Sequence, residues 1–208
     1  MTKVKICGIT NLEDALCAQA CGANFIGFVF AESPRMIKPG IAARIIERLS
    51  PKIKIVALFA DQKEKFILRV IEELGRVDAL QLHGRETPGF CASFAPRRII
   101  KAFRIKDENS IGAIKDYTAM DFALLDGYSD KAKGGTGKGF DLGLAVSAKR
   151  FGIPLFIAGG LNPQNVKRVV NLVKPFCVDV SSGVEKSAGK KDHGLIRLFI
   201  QNARSCLT

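Results

Sequence analysis

The sequence predicts an α/β protein, a single (βα)8 TIM barrel with a closed, eight-stranded parallel sheet, as one domain over residues 1–208. Two observations predict this fold. Short apolar runs alternate with helix-like segments eight times, a pattern typical of parallel α/β proteins. Glycine-bearing turns follow the seventh and eighth runs, where barrels commonly build a phosphate site. No Pro-, Gly- or Ser-rich linker divides the chain.

Eight runs have the composition of buried strands. Several are continuously apolar, as expected when helices cover a parallel sheet and both faces of each strand are buried. The predicted strands span residues 4–7, 25–30, 53–59, 79–82, 98–103, 122–126, 155–158 and 177–180. In the run of residues 97–106, cations alternate with apolar residues, which predicts a half-exposed strand.

Helix start signals lie between these strands. Residues 10–13 (Thr-Asn-Leu-Glu) have a capping-box pattern, and residues 61–64 are predicted to cap a later helix. Asn162 before Pro163 predicts an N-cap followed by proline at the first helical position. Asp192 is the predicted cap of the last helix.

The alternation also fits an open, doubly wound sheet. A dinucleotide-binding sheet of that kind carries a glycine fingerprint after its first strand. The turn there is Gly8-Ile9-Thr10-Asn11, which lacks the fingerprint. The glycine placement therefore favours the closed barrel.

The composition is that of a folded globular protein, with 47% hydrophobic and 25% charged residues. Its apolar runs are far shorter than the roughly 20 residues of a membrane-spanning helix, and the N-terminus does not look like a signal peptide. Most of the six cysteines lie in apolar patterns, where cysteine acts as a small hydrophobe. We therefore predict a reduced, cytoplasmic protein with no membrane partner.

The net charge of +12 would suit nucleic acid or a small anionic substrate as a partner. The basic residues are scattered along the chain, so we predict no nucleic-acid binding. Cys17 and Cys21 lie four apart on a predicted helix, but the chain has two histidines and no CxxC motif. We therefore predict no metal site.

Six polar or reactive residues lie at the C-terminal ends of the predicted strands or in the loops after them, where barrel enzymes place their chemistry. They are Cys7, Arg35, Gln81, His83, Asp126 and Asp179. Each also has a structural interpretation: Cys7 as a core residue, His83 as a hydrogen-bonding residue, Asp126 as a turn cap. Their convergence on one face of the barrel, beside the predicted phosphate turns, favours an active site.

The loop after the sixth strand contains Gly134-Gly135-Thr136-Gly137-Lys138-Gly139. No Ser or Thr follows Gly137-Lys138, so the segment fails the P-loop pattern. We interpret it as a lid over a small substrate.

Seven motifs in order give the chain a family resemblance. They are Lys5-Ile6-Cys7-Gly8-Ile9-Thr10, Ser33-Pro34-Arg35, Leu80-Gln81-Leu82-His83-Gly84, Leu125-Asp126, Gly134-Gly135-Thr136-Gly137 with Phe140-Asp141, Ala158-Gly159-Gly160-Leu161-Asn162-Pro163 and Asp179-Val180-Ser181-Ser182-Gly183-Val184-Glu185. Together they resemble the phosphoribosylanthranilate isomerases, barrel enzymes of tryptophan biosynthesis. The resemblance runs from residue 3 to the final helix. Leu142 departs from it, because family members often carry Trp there.

The resemblance implies an Amadori rearrangement without cofactor or metal. It assigns Asp126 as the general acid, whose pKa burial would raise, and Cys7 as the general base, whose pKa nearby cations or N–H groups would lower. Arg35 would hold the anthranilate carboxylate and Asp179 the ribose hydroxyls or the amine, with Gln81 and His83 either binding substrate or structural. The phosphate would meet backbone N–H groups or hydroxyls of Gly159, Gly160, Ser181, Ser182 and Gly183.

Two classes of alternative stay open from the sequence. One is another sugar-phosphate isomerase, epimerase or synthase on the same barrel, although His83 and His193 do not supply the metal ligands that epimerases use. The other is a noncatalytic, basic nucleic-acid-binding protein. The sequence also leaves open a monomer or a homodimer, and acceptance of a related histidine-pathway substrate.

Overall fold

A computed structural model describes residues 1–127 and 141–205. Eight parallel strands follow one another around a closed barrel, and the first pairs with both the second and the last. The strands are β1 (Lys3–Cys7), β2 (Phe25–Val29), β3 (Lys54–Phe59), β4 (Ala79–Leu82), β5 (Ile99–Ile105), β6 (Phe122–Gly127), β7 (Leu155–Ala158) and β8 (Cys177–Val180). The predicted TIM barrel is confirmed, and each strand boundary lies within two residues of its prediction.

Helices surround the barrel between successive strands. They are α1 (Leu12–Ala20), α2 (Pro39–Glu47), α3 (Glu64–Leu74), α4 (Pro88–Ala92), α5 (Glu108–Gly112), α6 (Leu142–Ser147), α7 (Val166–Val173) and α8 (His193–Arg204). Short 3-10 helices span Ala113–Asp116, Ala148–Phe151 and Ser182–Val184. After the last of these, an antiparallel hairpin of β9 (Glu185–Ser187) and β10 (Lys190–Lys191) leads into α8.

Asp192 caps α8 as predicted, accepting from the backbone N–H of Leu195. At the other three predicted starts, the capping hydrogen bonds differ from those that the sequence predicts. Asn11, not Thr10, caps α1, because the Thr10 hydroxyl donates to the carbonyl of Gly189 in the β9–β10 turn.

The N-cap residue of α3 is Lys63, within the predicted residues 61–64, but its side chain makes no capping hydrogen bond. The carboxylate of Asp61 instead accepts from Arg85 N–H in the next loop. Likewise Asn162 caps a turn that precedes α7 rather than the helix itself, accepting from the backbone N–H groups of Gln164 and Asn165.

Inward-facing side chains divide the barrel interior into two parts. Four phenylalanine rings fill the end where the strands begin, with centroids 5.4 Å apart for Phe25 and Phe156 and 5.1 Å apart for Phe122 and Phe176. Toward the other end the inward positions carry polar side chains such as Lys5 and Gln81. The open volume therefore lies at the C-terminal ends of the strands.

The prediction of a half-exposed fifth strand was wrong. In β5 all residues except Arg104 are buried, and the side chain of Lys101 is 2% exposed. This lysine is buried because it forms an ion pair with Glu86, which is buried to the same extent.

The cysteines within the described ranges are free thiols. Among the same residues, no cluster of three or more His, Cys, Asp and Glu side chains is arranged to hold a metal. None of the helices described combines the length and apolar character that crossing a bilayer requires. The glycine-rich loop interpreted as a lid, at residues 134–139, lies outside the described residues.

Candidate active site

A cleft of about 390 Å³ opens at the C-terminal ends of the strands. The six candidate side chains all line it: Cys7, Arg35, Gln81, His83, Asp126 and Asp179. Four of the five candidate phosphate-binding residues line the same cleft: Gly159, Gly160, Ser181 and Ser182. Gly183 does not, because it packs behind the cleft against the carbonyl of Leu161.

Cys7 lies beside a buried ion pair inside the barrel. Lys5 is fully buried, and its Nζ lies 2.9 Å from Oδ2 of Asp179. The strand register places these two residues side by side on β1 and β8. A Cβ at Gly27 would lie 2.9 Å from Cys7 Sγ and 3.0 Å from Lys5 Nζ. The thiol and the ammonium thus share the space that this glycine leaves on β2.

The expectation that nearby cations lower the pKa of Cys7 was wrong. Burial raises the pKa of the Cys7 thiol above its ordinary value, and Asp179 adds to the rise, while Lys5 and Lys191 oppose it. The cations expected to lower this pKa are present, but burial outweighs them. For Lys5 itself, burial would lower the pKa, but Asp179 and Cys7 raise it above its usual range. Lys5 is therefore a permanent cation next to the thiol.

Asp126 belongs to a hydrogen-bonded chain on the opposite side of the cleft. Nε2 of Gln81 lies 2.8 Å from Nδ1 of His83, and Nε2 of His83 lies 3.1 Å from Oδ2 of Asp126. An amide NH2 only donates, so His83 Nδ1 accepts and its Nε2–H points at the carboxylate. The expected burial of Asp126 was wrong, because its side chain is 31% exposed at the mouth of the cleft.

Two buried acceptors in the cleft have no partner among the described residues. They are Oε1 of Gln81 and Oδ1 of Asp179, and both residues line the cleft wall. A buried oxygen without a donor costs about 1–3 kcal/mol. Both oxygens are therefore suited to accept a hydrogen bond from a hydroxyl or an amine in the cleft.

Arg35 is held by an acidic residue, Glu185, that was not among the predicted site residues. Its Nε and Nη2 donate to the two carboxylate oxygens of Glu185, at 2.8 and 2.7 Å. Lys191 Nζ lies 2.8 Å from the same carboxylate and also donates to the carbonyl of Ser181. The guanidinium thus reaches the cleft with one of its two donor edges already occupied.

The turns after β7 and β8 present backbone groups to the cleft. Gly159 and Gly160 have φ of +86° and +68°, in the left-handed region that favours glycine. Ser182 begins a 3-10 helix, and the first N–H groups of a helix have no carbonyl partner within it. Together they form a concave set of donors suited to an anion.

Comparison with known proteins identifies the family of this barrel. The family model described as N-(5'phosphoribosyl)anthranilate (PRA) isomerase matches residues 4–202. The chain belongs to the PRA isomerase family.

Relatives and solved structures agree over nearly the whole chain. The N-(5'-phosphoribosyl)anthranilate isomerase of Geobacter sp. strain M21 is 49% identical over 205 residues, 98% of each protein. The crystal structure of the Thermotoga maritima enzyme superposes with a TM-score of 0.90 at 42% identity, covering 98% of this chain and 99% of that one. A PRA isomerase in complex with reduced 1-(o-carboxyphenylamino)-1-deoxyribulose 5-phosphate gives a TM-score of 0.88 at 39% identity, with the same coverage.

In this PRA isomerase family member, three charged residues that contact cleft-lining side chains or backbone were not predicted from the sequence: Lys5, Glu185 and Lys191. Lys5 had a readable signal, since residues two apart in a strand face the same side and Lys5 therefore points inward with Cys7. Glu185 had none, because its partner Arg35 is 150 residues away, and Lys191 is linked to the cleft only through Glu185 and Ser181.

Proposed function

We propose that the chain converts N-(5-phosphoribosyl)anthranilate into 1-(2-carboxyphenylamino)-1-deoxyribulose 5-phosphate, a step of tryptophan biosynthesis, by an Amadori rearrangement without cofactor. One observation carries the proposal: a carboxylic acid, a thiol, an arginine and an anion-binding pair of turns all line one cleft. The relative bound to a reduced form of this product, at 39% identity, supports the same substrate class. The free thiols fit a cytoplasmic location.

Ring opening needs a proton donor at the ribose ring oxygen. We assign this role to Asp126, which lies at the cleft mouth. In the protonated form its carboxyl transfers a proton to the ring oxygen as the C1–O bond breaks, and the anthranilate nitrogen lone pair forms C1=N. His83 Nε2 lies 3.1 Å from the Asp126 carboxylate and orients it toward the ring.

The protonated Schiff base acidifies the neighbouring C2–H bond. We assign its removal to Cys7 as the thiolate, so that S–H forms as C2–H breaks. The electron pair becomes C1=C2 and neutralises the nitrogen, and the enolamine then tautomerises to the ketone. Burial disfavours the thiolate, and the buried Lys5 ammonium reduces this penalty without removing it.

Binding follows from the charges on the substrate. The phosphate binds at the two turns that contain Gly159, Gly160, Ser181, Ser182 and Gly183. Gly183 lies behind the cleft, so it contributes only its backbone to the second turn. Arg35 binds the carboxylate of the aromatic end. The unpaired Oδ1 of Asp179 accepts from a ribose hydroxyl or the amine, and Oε1 of Gln81 offers a second acceptor.

The activity is tested by following anthranilate-adduct fluorescence after the protein is mixed with freshly made phosphoribosylanthranilate. The chain contains no Trp, so protein emission is low. We expect rapid decay with the wild type, strong suppression in Asp126→Asn and Cys7→Ser, and no change in Lys54→Met. Lys54 forms an ion pair at the opposite end of the barrel and serves as the control.

Each variant tests a separate part of the mechanism. No protein-dependent decay with folded wild type would contradict the activity and favour another sugar-phosphate reaction on this barrel. Wild-type rates in Cys7→Ser would contradict the base assignment alone, and wild-type rates in Asp126→Asn the acid assignment alone.

A further inference from the structure

The guanidinium of Arg35 has two edges that can each grip a carboxylate with two hydrogen bonds. One edge carries Nε and Nη2, and Glu185 occupies it at 2.8 and 2.7 Å. The other edge carries Nη1 and the second hydrogen of Nη2. Since Arg35 lines the cleft and its side chain is 24% exposed, this second edge is the one left for a ligand.

The Glu185 carboxylate is itself fixed in place. Its side chain is 4% exposed, and its Oε1 accepts from both Arg35 Nε and Lys191 Nζ. Burial by itself would raise the pKa of Glu185, but the hydrogen bonds from Arg35 and Lys191 outweigh burial and lower it. Glu185 is therefore ionised at neutral pH, with two cations sharing its charge.

The stem of Arg35 is fixed as well. It crosses the end of β1 at Gly8, where a Cβ would lie 2.7 Å from Arg35 Cδ and 2.9 Å from Ser181 Oγ. Gly8 follows Cys7 directly in the chain. With the stem held at Gly8 and one donor edge at Glu185, the guanidinium has little rotational freedom left.

We propose that Glu185, supported by Lys191, is a positioning residue that turns the Nη1/Nη2 edge of Arg35 into the cleft and thereby selects substrates whose aromatic amine carries a carboxylate. The inference rests on the proposed function, in which Arg35 receives that carboxylate. It adds that selectivity depends on a residue that does not itself touch the substrate. Because the guanidinium is already oriented before the substrate binds, Arg35 loses less side-chain conformational entropy on binding.

A competing interpretation predicts the opposite sign. If the Arg35–Glu185 pair were a closed unit that the substrate carboxylate must break, removal of Glu185 would free Arg35 and tighten substrate binding. Glu185→Gln separates the two interpretations. A glutamine has one acceptor oxygen and a donor NH2 group, so it cannot give Nε and Nη2 an acceptor oxygen each, as the carboxylate does.

The experiment compares two substrates, the phosphoribosyl adducts of anthranilate and of aniline, each made by mixing the amine with ribose 5-phosphate. Aniline lacks the carboxylate and is otherwise the same amine. For Glu185→Gln we expect KM for the anthranilate adduct to rise about tenfold, the scale of one charge-assisted hydrogen bond. The kcat for that adduct and both constants for the aniline adduct should change little.

Three further variants secure the interpretation. Glu185→Asp keeps the charge beside Lys191 but withdraws it from Arg35, so it should show the same loss of selectivity if Glu185→Gln fails to fold. Glu108→Gln removes a carboxylate from an exposed ion pair and should leave both substrates unaffected. Arg35→Ala removes the guanidinium altogether and so measures the largest loss of preference for the anthranilate adduct over the aniline adduct.

The outcomes are distinguishable. Equal losses for the two adducts in the Glu185 variants, or a lower KM for the anthranilate adduct, would overturn the positioning role while leaving the proposed function intact. If Arg35→Ala also left the preference for the carboxylate unchanged, the carboxylate site of the proposed function would fail, and the inference with it.

Discussion

Nζ of Lys101 lies 2.7 Å from Oε2 of Glu86, and both side chains are 2% exposed. The same ammonium donates to the carbonyls of Leu82 and Gly84, the two residues that flank His83. This ion pair therefore fixes the backbone that carries His83, and through His83 the orientation of the Asp126 carboxylate.

Lys101→Met should destabilise the protein by about 3–5 kcal/mol, because it leaves the Glu86 carboxylate buried without its cation. Lys54→Met removes an ion pair in which the lysine is 52% exposed, and such pairs contribute about 0–1 kcal/mol. Urea unfolding of both variants measures the difference. Equal losses of unfolding free energy would contradict a structural role for the buried pair.

The barrel was predictable because its signals are local. Apolar runs, glycine turns and one correct cap at Asp192 lie within a few residues of the elements they specify. The errors concern contacts between distant segments. The alternation around Lys101 indicated partial exposure because its partner Glu86 lies in the preceding loop, 15 residues away.

In the candidate site, too, the residues with a local sequence signal were predictable and the contacts between distant segments were not. The six side chains at the strand ends were predictable, because all parallel strands of a barrel end on one face. The supporting charges were harder to find. Lys5 pairs with Asp179 through the register of β1 and β8, and no property of either segment alone specifies that register. The direction of the Cys7 pKa likewise depends on burial, which only the closed barrel sets.

Gly159→Ala should lower kcat/KM by about a hundredfold, the scale of an ångström displacement at a reacting group. A Cβ at this position would lie 2.4 Å from the backbone N of Gly127 and 2.5 Å from Oδ1 of Asp126, so both the carboxylate and the end of β6 must move. Gly152 has a similar φ of +70° with open space around it, and Gly152→Ala is the matched control for backbone strain. The kcat/KM of each variant and its thermal unfolding temperature are compared.

Backbone strain by itself should lower the stability of both glycine variants by about 1–2 kcal/mol, and the clash with the Gly127 backbone should add to the loss in Gly159→Ala. Activity should be lost in Gly159→Ala alone. If Gly152→Ala lost as much activity, strain in the fold rather than the position of Asp126 would explain the result.

Alkylation of Cys7 should report the buried charges around it. Burial raises its pKa, so the iodoacetamide rate should keep rising with pH beyond the ordinary thiol range. Lys5→Met removes a cation that lowers this pKa and should slow alkylation at pH 8. Asp179→Asn removes an anion that raises it and should accelerate alkylation.

Mass spectrometry of the Cys7 peptide separates this thiol from Cys17 and Cys21, which are less buried. The two variants serve as controls for each other, because loosening of the barrel would accelerate alkylation in both. Changes of the same sign would therefore contradict the electrostatic account.

The stability contributed by Glu185 should depend on pH with a defined sign. Its pKa in the folded protein lies below the ordinary 4.5, so the folded state binds this proton less readily than the unfolded chain. The contribution is fully present above about pH 4.5 and is lost as the pH falls through the lower folded-state pKa.

The difference in unfolding free energy between wild type and Glu185→Gln should therefore shrink between pH 6 and pH 3. Glu108, exposed and screened by solvent, should show a smaller change in Glu108→Gln. A difference for Glu185→Gln that stayed constant over this range would mean that Arg35 and Lys191 do not stabilise the ionised carboxylate.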